Sequence, residues 1–419
     1  MKRKIPGGHQ DADARGATGR RLGIVVNIAI RMTLLVLLFG PSGIGGCRDA
    51  LESPDASESR DDAPSGDAYQ TRSIGGPVLF DSERAADAEL SELGRLTRAV
   101  FVDDGAVFVD RRRVVFVDLD AERIRKVPRA GEGPGEILAL RPSVSRVPEG
   151  LVVWDDRLRR ASSFTQAGEF RQAMALRSIE RRQGFIGALD DSSFVFANGP
   201  PLDSMPQGMA RHSREVRVVS SDGTSRLVAV VPSREYNHVR DPPMYPLRLI
   251  PVIFGHTTHL AVSRGRLVVA DTAEDSVMVY SRRGDIVARI PMPSRRRVAS
   301  DRQIAHIRDS LTADWDGRPE LPAPFVKPPT PQYDARRGPL PPIDAVKVDA
   351  NGRIWIRALL MPGDAKQQWT VWDGVQQAFS VEMSVREVLM DADGDRMLVR
   401  TMNELGVHRV TVRTLRPMG

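Results

Sequence analysis

The chain has 419 residues, 41% hydrophobic and 27% charged, which is the composition of a globular protein and excludes a fully disordered or collagen-like one. Its 60 basic residues outnumber 54 acidic ones, but residues 1–46 alone hold seven basic and two acidic residues, leaving 53 against 52 beyond them. Most of the basicity therefore belongs to the leader, and nucleic-acid binding is not expected. The single cysteine, Cys47, excludes an internal disulfide framework and a thiolate zinc site.

The first element is an address. Residues 32–39 read MTLLVLLF directly after Arg31, and the flexible stretch PSGIGG leads to Cys47. A basic flank, a short apolar core and small residues before a cleavage site predict a secretory signal peptide over 1–46. Asn27 and Arg31 interrupt the apolar segment, which falls short of the roughly 20 residues that span a bilayer. Ile44-Gly45-Gly46-Cys47 resembles the lipobox of bacterial lipoproteins, in which the cysteine thiol accepts a diacylglycerol. That resemblance implies a lipid anchor on Cys47, each buried methylene contributing roughly 0.8 kcal/mol. It implies a partner membrane in the cell envelope, and Arg48 at the second mature position points to the outer membrane. Residues 47–75 are small, polar and acidic, and predict a disordered tether.

From residue 76 to 419 one theme recurs: a β-branched or alternating run, a turn of Asp, Gly or Asn type, a second run, then a third. In Ala99–Val117, Val100 and Val102 alternate into a turn at Asp103-Asp104-Gly105, Val107 and Val109 alternate again, and Val114–Val117 follows. An Asp-Gly pair suits a hairpin that needs positive φ. A second unit carries Leu151–Trp154, Ala161–Phe164 and a turn at Gly168. The third carries Ser193–Phe196, Val216–Val219 and Asp222-Gly223. In the fourth are Leu260–Val262, Arg266–Ala270, Val277–Tyr280 and Gly284. The fifth shows Ala345–Val348, Asn351-Gly352, Ile354–Ile356 and Trp369–Trp372. The last shows Val388–Met390, Asp393-Gly394, Met397–Val399 and Val410–Val412.

Such repetition predicts an all-β fold, a six-bladed β-propeller with blades around a central channel, expected as a monomer. Between the fourth and fifth units, Ser300 to about Trp315 reads as a helix with Ser300 as N-cap and Ile304, Ile307 and Leu311 on one face. Together with the proline-rich stretch Pro319–Pro342 it forms an insertion expected to pack across one end.

Three stretches resemble the six-bladed, NHL-like β-propeller lipoproteins of Gram-negative bacteria. Gly131-Glu132-Gly133-Pro134-Gly135-Glu136 is similar to that family's GxGPGE signature. VDANGRIWIR, Val348–Arg357, is similar to its strand–turn–strand unit, and NELGVHRVTVRTL, Asn403–Leu415, to its closing strand. The chain departs from the family over Asn198–Arg214 and at His408. The resemblance implies a fold and a location more than a reaction.

The candidate ligand-binding residues follow from that signature. Glu132 and Glu136, with Arg129 and Arg141 beside them, present charges near the channel, unless the segment is only the turn that spaces two blades. His256 and His259 do not form a metal pair on a strand, because positions three apart face opposite ways. The clusters Arg111–Arg113 and Arg295–Arg297 read as solvated turns, the alternative being contacts to phosphate or lipopolysaccharide. No G-x-S-x-G elbow or Walker loop occurs, and no cofactor or metal is expected. The reading is a binding or scaffold module for an envelope protein, peptide or glycan. The alternative is a metal-dependent hydrolase or lactonase with carboxylates in the channel.

Overall fold

A strand buried on both faces has no polar side and reads as an unbroken apolar run. The strand Gly105–Asp110 shows this. Ala106 and Phe108 enter one hydrophobic cluster with Phe80, Val410 and Val412, while Val107 and Val109 enter another with Ile137, Val144 and Val153. In the computed structural model, residues 71–417 are described except 92, 94, 104, 181, 200–206, 242–244, 294–296 and 317–330. For residues 73, 75, 76, 240, 241, 245–248, 315, 316 and 417 the description covers the backbone alone. Cys47, the expected signal peptide and all but the end of the expected tether lie outside these residues.

The strands form four-stranded antiparallel units in chain order. Unit 1 runs Leu96–Val102, Gly105–Asp110, Arg113–Asp118 and Arg123–Lys126; unit 2 runs Ser143–Val147, Gly150–Asp155, Arg160–Phe164 and Phe170–Ala175. Unit 3 comprises Gln183–Asp190, Ser193–Asn198, Ser213–Ser220 and Ser225–Pro232; unit 4 comprises Thr258–Ser263, Arg266–Asp271, Ser276–Ser281 and Ile286–Pro291. Unit 5 has Ile343–Val348, Ile354–Ala358, Lys366–Asp373 and Gln376–Ser384. Unit 6 has Val388–Asp393, Arg396–Met402 and His408–Pro417, and takes its fourth strand, Thr71–Asp81, from the other end of the described chain. That strand also pairs in parallel with Ser380–Glu382, joining units 5 and 6 into one eight-stranded sheet.

Each hydrophobic cluster lies between consecutive units, and together the clusters close a ring. Trp154 of unit 2 packs on Phe185 and Phe196 of unit 3, with ring centroids 5.9 and 5.0 Å away. Trp355, Trp369 and Phe379 of unit 5 meet Leu389 and Met397 of unit 6. Phe80, Val410 and Val412 of unit 6 meet Phe101 and Phe108 of unit 1, which shuts the circle. The inner strands are the leaky ones: Thr258–Ser263 and Ile343–Val348 are half-buried along most of their length, whereas the second strands behind them are buried. Water therefore reaches the inner strands from a central channel. At one level the channel pinches. A Cβ on Gly187 of unit 3 would lie 2.8 Å from Cβ of Val262 in unit 4 and 3.2 Å from the Ser145 hydroxyl in unit 2, so only glycine fits.

Antiparallel order puts the first-to-second and third-to-fourth turns on one face, where all connections are short. The second-to-third and unit-to-unit connections lie on the opposite face, which carries every long excursion. One is the helix Asp301–Asp316. The Ser300 hydroxyl accepts from the Gln303 N–H at 3.3 Å and the Gln303 side chain accepts from the Ser300 N–H at 3.0 Å, a reciprocal capping box. The other is a three-stranded ribbon of Gly208–Ala210, Tyr236–Asp241 and Tyr245–Pro251.

Two readings of the sequence change. Residues 71–75, expected in the tether before a domain starting at 76, belong to the closing strand. The sequence of that strand, TRSIGGPVLFD over Thr71–Asp81, lacks a strand signature because pairing on two sides, not alternation, holds it. The ribbon was not anticipated; it occupies part of the Asn198–Arg214 departure and the stretch before unit 4.

Candidate functional site

The channel is where side chains of several units converge. Asp391, on the inner strand of unit 6, is 8% exposed. It accepts the Phe101 N–H of unit 1 at 2.8 Å and pairs with the Arg146 guanidinium of unit 2, which also donates to the Phe101 carbonyl at 2.8 Å. Burial pushes the Asp391 carboxyl up, against the pull of Arg146. Lys347, on the inner strand of unit 5, donates to the Met390 carbonyl at 3.0 Å. Burial, together with the guanidinia of Arg98, Arg357 and Arg400, pulls its ammonium down to about 8 despite Asp391. Arg357 is matched by Asp344 at 2.6 Å. Arg400, 9% exposed, donates to the Leu96 carbonyl at 2.7 Å. Arg98 is exposed to the channel, and the protein around it lowers its pKa. The ionisable side chains gathered here are thus chiefly cationic, where the hydrolase alternative calls for carboxylates from several blades. Among the described residues no group of three or more His, Cys, Asp or Glu side chains converges.

The GEGPGE segment connects units 1 and 2 on the face of long excursions. Glu136 folds back on its own loop: its carboxylate accepts the Gly133 N–H at 2.8 Å and fills the space that a Cβ on Gly131 would need. Arg160 donates to the carbonyls of Glu132 and Glu136, and Gly135, at φ 75°, lies against Phe170. Glu136 is therefore a brace that fixes the turn. Arg129, Glu132 and Arg141 are exposed around it. Arg111, at φ 53°, makes the turn before Arg113, which pairs with Asp110 at 3.2 Å. Arg295 and Arg296 lie outside the described residues, and Arg297 is exposed.

The ribbon is tied down by a second polar group. Arg211 pairs with Asp271 at 2.6 Å and also donates to Thr258 and to the Ser233 carbonyl. His212 and His238 stack with Nε2 atoms 2.8 Å apart. Glu235 accepts the His256 N–H at 3.0 Å and pairs with Arg336 of the insertion at 3.4 Å. His256 precedes the strand Thr258–Ser263 and its ring faces Thr272, whereas His259 lies on the inner strand with Nε2 buried and unpartnered among the described residues.

Burial, reinforced by Arg357 and Arg234, lowers His259 from its ordinary value of 6.5 to about 4. The unfolded chain then binds a proton between these values that the folded chain refuses, so stability is fully present above about pH 6.5 and declines toward 4. The expected loss over that window is up to about 3 kcal/mol. His212, His256 and His408 are shifted the same way and add to it. Urea unfolding between neutral pH and the lower end of that window measures the slope, and His259→Gln should flatten it; a slope unchanged by the substitution would assign the effect elsewhere.

Sheets set radially around a channel, each packed on the next, define a β-propeller, and the chain is one. No family model and no curated protein matches it. Among solved structures it is similar to a DUF4221 family member from Bacteroides vulgatus, with 12% identity over 78% of this chain and 93% of that one and a TM-score of 0.44. It is similar to the β-propeller domain of Cps50 from Myceliophteria thermophila, with 13% identity, coverages of 77% and 98%, and a TM-score of 0.37. It is also similar to regucalcin from Agrobacterium tumefaciens, described as a calcium-binding protein, with 12% identity, coverages of 84% and 98%, and a TM-score of 0.35. Among the described residues no helix is long and apolar enough to cross a membrane.

Proposed function

We propose that the chain is an exported lipoprotein, anchored through lipid on Cys47, whose six-bladed propeller binds or scaffolds a protein, peptide or glycan of the cell envelope. The observation that carries the binding reading is that both long excursions share one face and hold each other there. Asn237 of the ribbon bonds Asp334 of the insertion, the Ile253 N–H donates to the Asp334 carbonyl at 2.8 Å, and Arg308 of the helix donates to the Tyr333 carbonyl at 3.2 Å. Short loops suffice to close a propeller, so a face elaborated this way is where contact is made. Between the start of the helix and unit 5 it carries a groove of about 450 Å³, lined by Arg297, Val298, Gln303, Met361 and Asp364. Val298, 68% exposed at its rim, is an apolar side chain set among polar ones.

A photo-crosslinking amino acid placed at Val298 should give a discrete adduct in cells, while the same residue at Val375, 58% exposed in a turn of the opposite face, should give none. Equal labelling from both positions would remove the groove from consideration. The anchor is tested separately: Cys47→Ser should abolish metabolic labelling with palmitate and release the chain from the membrane fraction. Retention of label would place the lipid elsewhere.

A further inference from the structure

Cations enclosed by protein are ordinarily matched by a carboxylate, because an unmatched buried charge is costly. In the channel this matching is incomplete. Asp391 is taken by Arg146 and Asp344 by Arg357. Among the described residues Arg400 has only a backbone carbonyl, that of Leu96. Lys347 likewise has only a carbonyl, that of Met390, and forms no ion pair among the described residues. Arg98 has no hydrogen-bond acceptor among them. Yet it stands on the inner strand of unit 1, Leu96–Val102, exposed to the channel water. Among the described residues these three positive charges, from units 1, 5 and 6, therefore have no ion-pair partner, and Arg98 and Lys347 border water while Arg400 lies buried behind them.

We propose that this part of the channel binds a doubly charged oxyanion, a phosphate group, held between the guanidinium of Arg98 and the ammonium of Lys347, with Arg400 adding its field from behind. The guanidinium offers paired N–H donors to two phosphate oxygens, and the ammonium, with one donor used on Met390, has two left for a third. Charge decides the class. A monocarboxylate would leave most of the excess uncompensated, whereas a phosphate dianion cancels two of the three charges. Burial lowers the Lys347 ammonium, and the repulsion of Arg98, Arg357 and Arg400 adds to it against the pull of Asp391. The phosphate is either free in solution or carried on a sugar, and both present the same oxygens to the site. This site is separate from the groove at Val298 and from Cys47, so failure of the crosslinking or lipid experiments leaves it standing.

The test is thermal melting and titration calorimetry of the full chain with inorganic phosphate, a monosaccharide phosphate and, at matched ionic strength, acetate and chloride. Both phosphates should raise the melting temperature in a concentration-dependent way, and acetate and chloride should not. Arg98→Gln and Lys347→Met should each weaken phosphate binding by about tenfold or more. Arg289→Gln, on the exposed outer strand Ile286–Pro291, should leave it unchanged. Without phosphate, Arg98→Gln should melt at or above the wild-type temperature, since it removes an unmatched charge; a lower melt would show that the protein already compensates Arg98 and would overturn the proposal. So would the absence of stabilisation by either phosphate, equal stabilisation by acetate, or equal phosphate binding in both variants. Tighter binding of the sugar phosphate would identify a phosphorylated glycan as the source, and tighter binding of inorganic phosphate the free ion.

Discussion

Replacing Asp391 with alanine is expected to cost the fold about 3–5 kcal/mol, read as a lower unfolding free energy in denaturant. The carboxylate holds three inner strands at once, through the Phe101 N–H, the Arg146 guanidinium and its own strand in unit 6. Without it, Arg146 loses its counter-ion, the Phe101 N–H loses its acceptor, and the negative charge that opposes the depressed pKa of Lys347 is gone. A buried donor left unmade adds about 1–3 kcal/mol of desolvation by itself. Asp391→Asn keeps an acceptor for Phe101 and should fall between the two. Adding Arg146→Met to Asp391→Ala should recover part of the loss, because a pair removed together leaves no stranded charge. If Asp391→Ala costs less than about 1 kcal/mol, the pair is solvated and contributes as a surface pair does.

Phe80→Ala is expected to be comparably damaging, about 3–5 kcal/mol, the range for a buried phenylalanine whose cavity is only partly refilled. Phe80 is 1% exposed and lies 6.3 Å, centroid to centroid, from Phe108 across the boundary between units 6 and 1. It is the main apolar anchor of Thr71–Asp81 in that cluster. The neighbouring Leu79 points the other way and is 48% exposed, so Leu79→Ala should change stability by no more than about 0.5 kcal/mol. The contrast between adjacent residues is the signature of a paired strand. Equal, small effects at both would mean that this segment is not part of the cooperative fold.

The strands that the sequence displays are those buried on both sides or alternating cleanly. AVFV in unit 1, LVVW in unit 2 and FVFA in unit 3 are visible because every residue must satisfy a neighbouring sheet. The fourth strand of each unit is harder to see. Phe170–Ala175 and Ile286–Pro291 are half exposed, and their pattern is diluted by solvent-facing residues. Thr71–Asp81 was hidden for a stronger reason, since its partners lie in distant stretches and its glycines and proline imitate a linker. The helix announced itself through Ser300 and its apolar face, and the capping box is there.

The candidate site was less legible. GEGPGE stands out as a motif, yet Glu136 turns its carboxylate inward to brace the loop. The channel group shows no motif at all, because Arg98, Arg146, Lys347, Asp391 and Arg400 come from four separate units. A chain nearly neutral beyond residue 46 gave no hint of it, since a sum over residues is blind to where the charges gather. One signal was available: a charged residue inside an otherwise apolar strand, as in VLMD or AVKV, is unusual unless that strand borders water.

The ring is closed by residues that are made far apart in time. Asp81 and Arg409 are 328 positions apart, as are Ser82 and Val410, so translation yields one side of the seam long before the other. Until His408–Pro417 has been synthesised, Thr71–Asp81 has no antiparallel partner and Phe80 has only the unit 1 part of its cluster to enter. Every other unit is complete within a short stretch and is free to form its hairpins as it appears. The last step is therefore a long-range closure, which carries the largest loop entropy and is the slow one. A nascent chain of this design stays open at the seam for as long as it is being made.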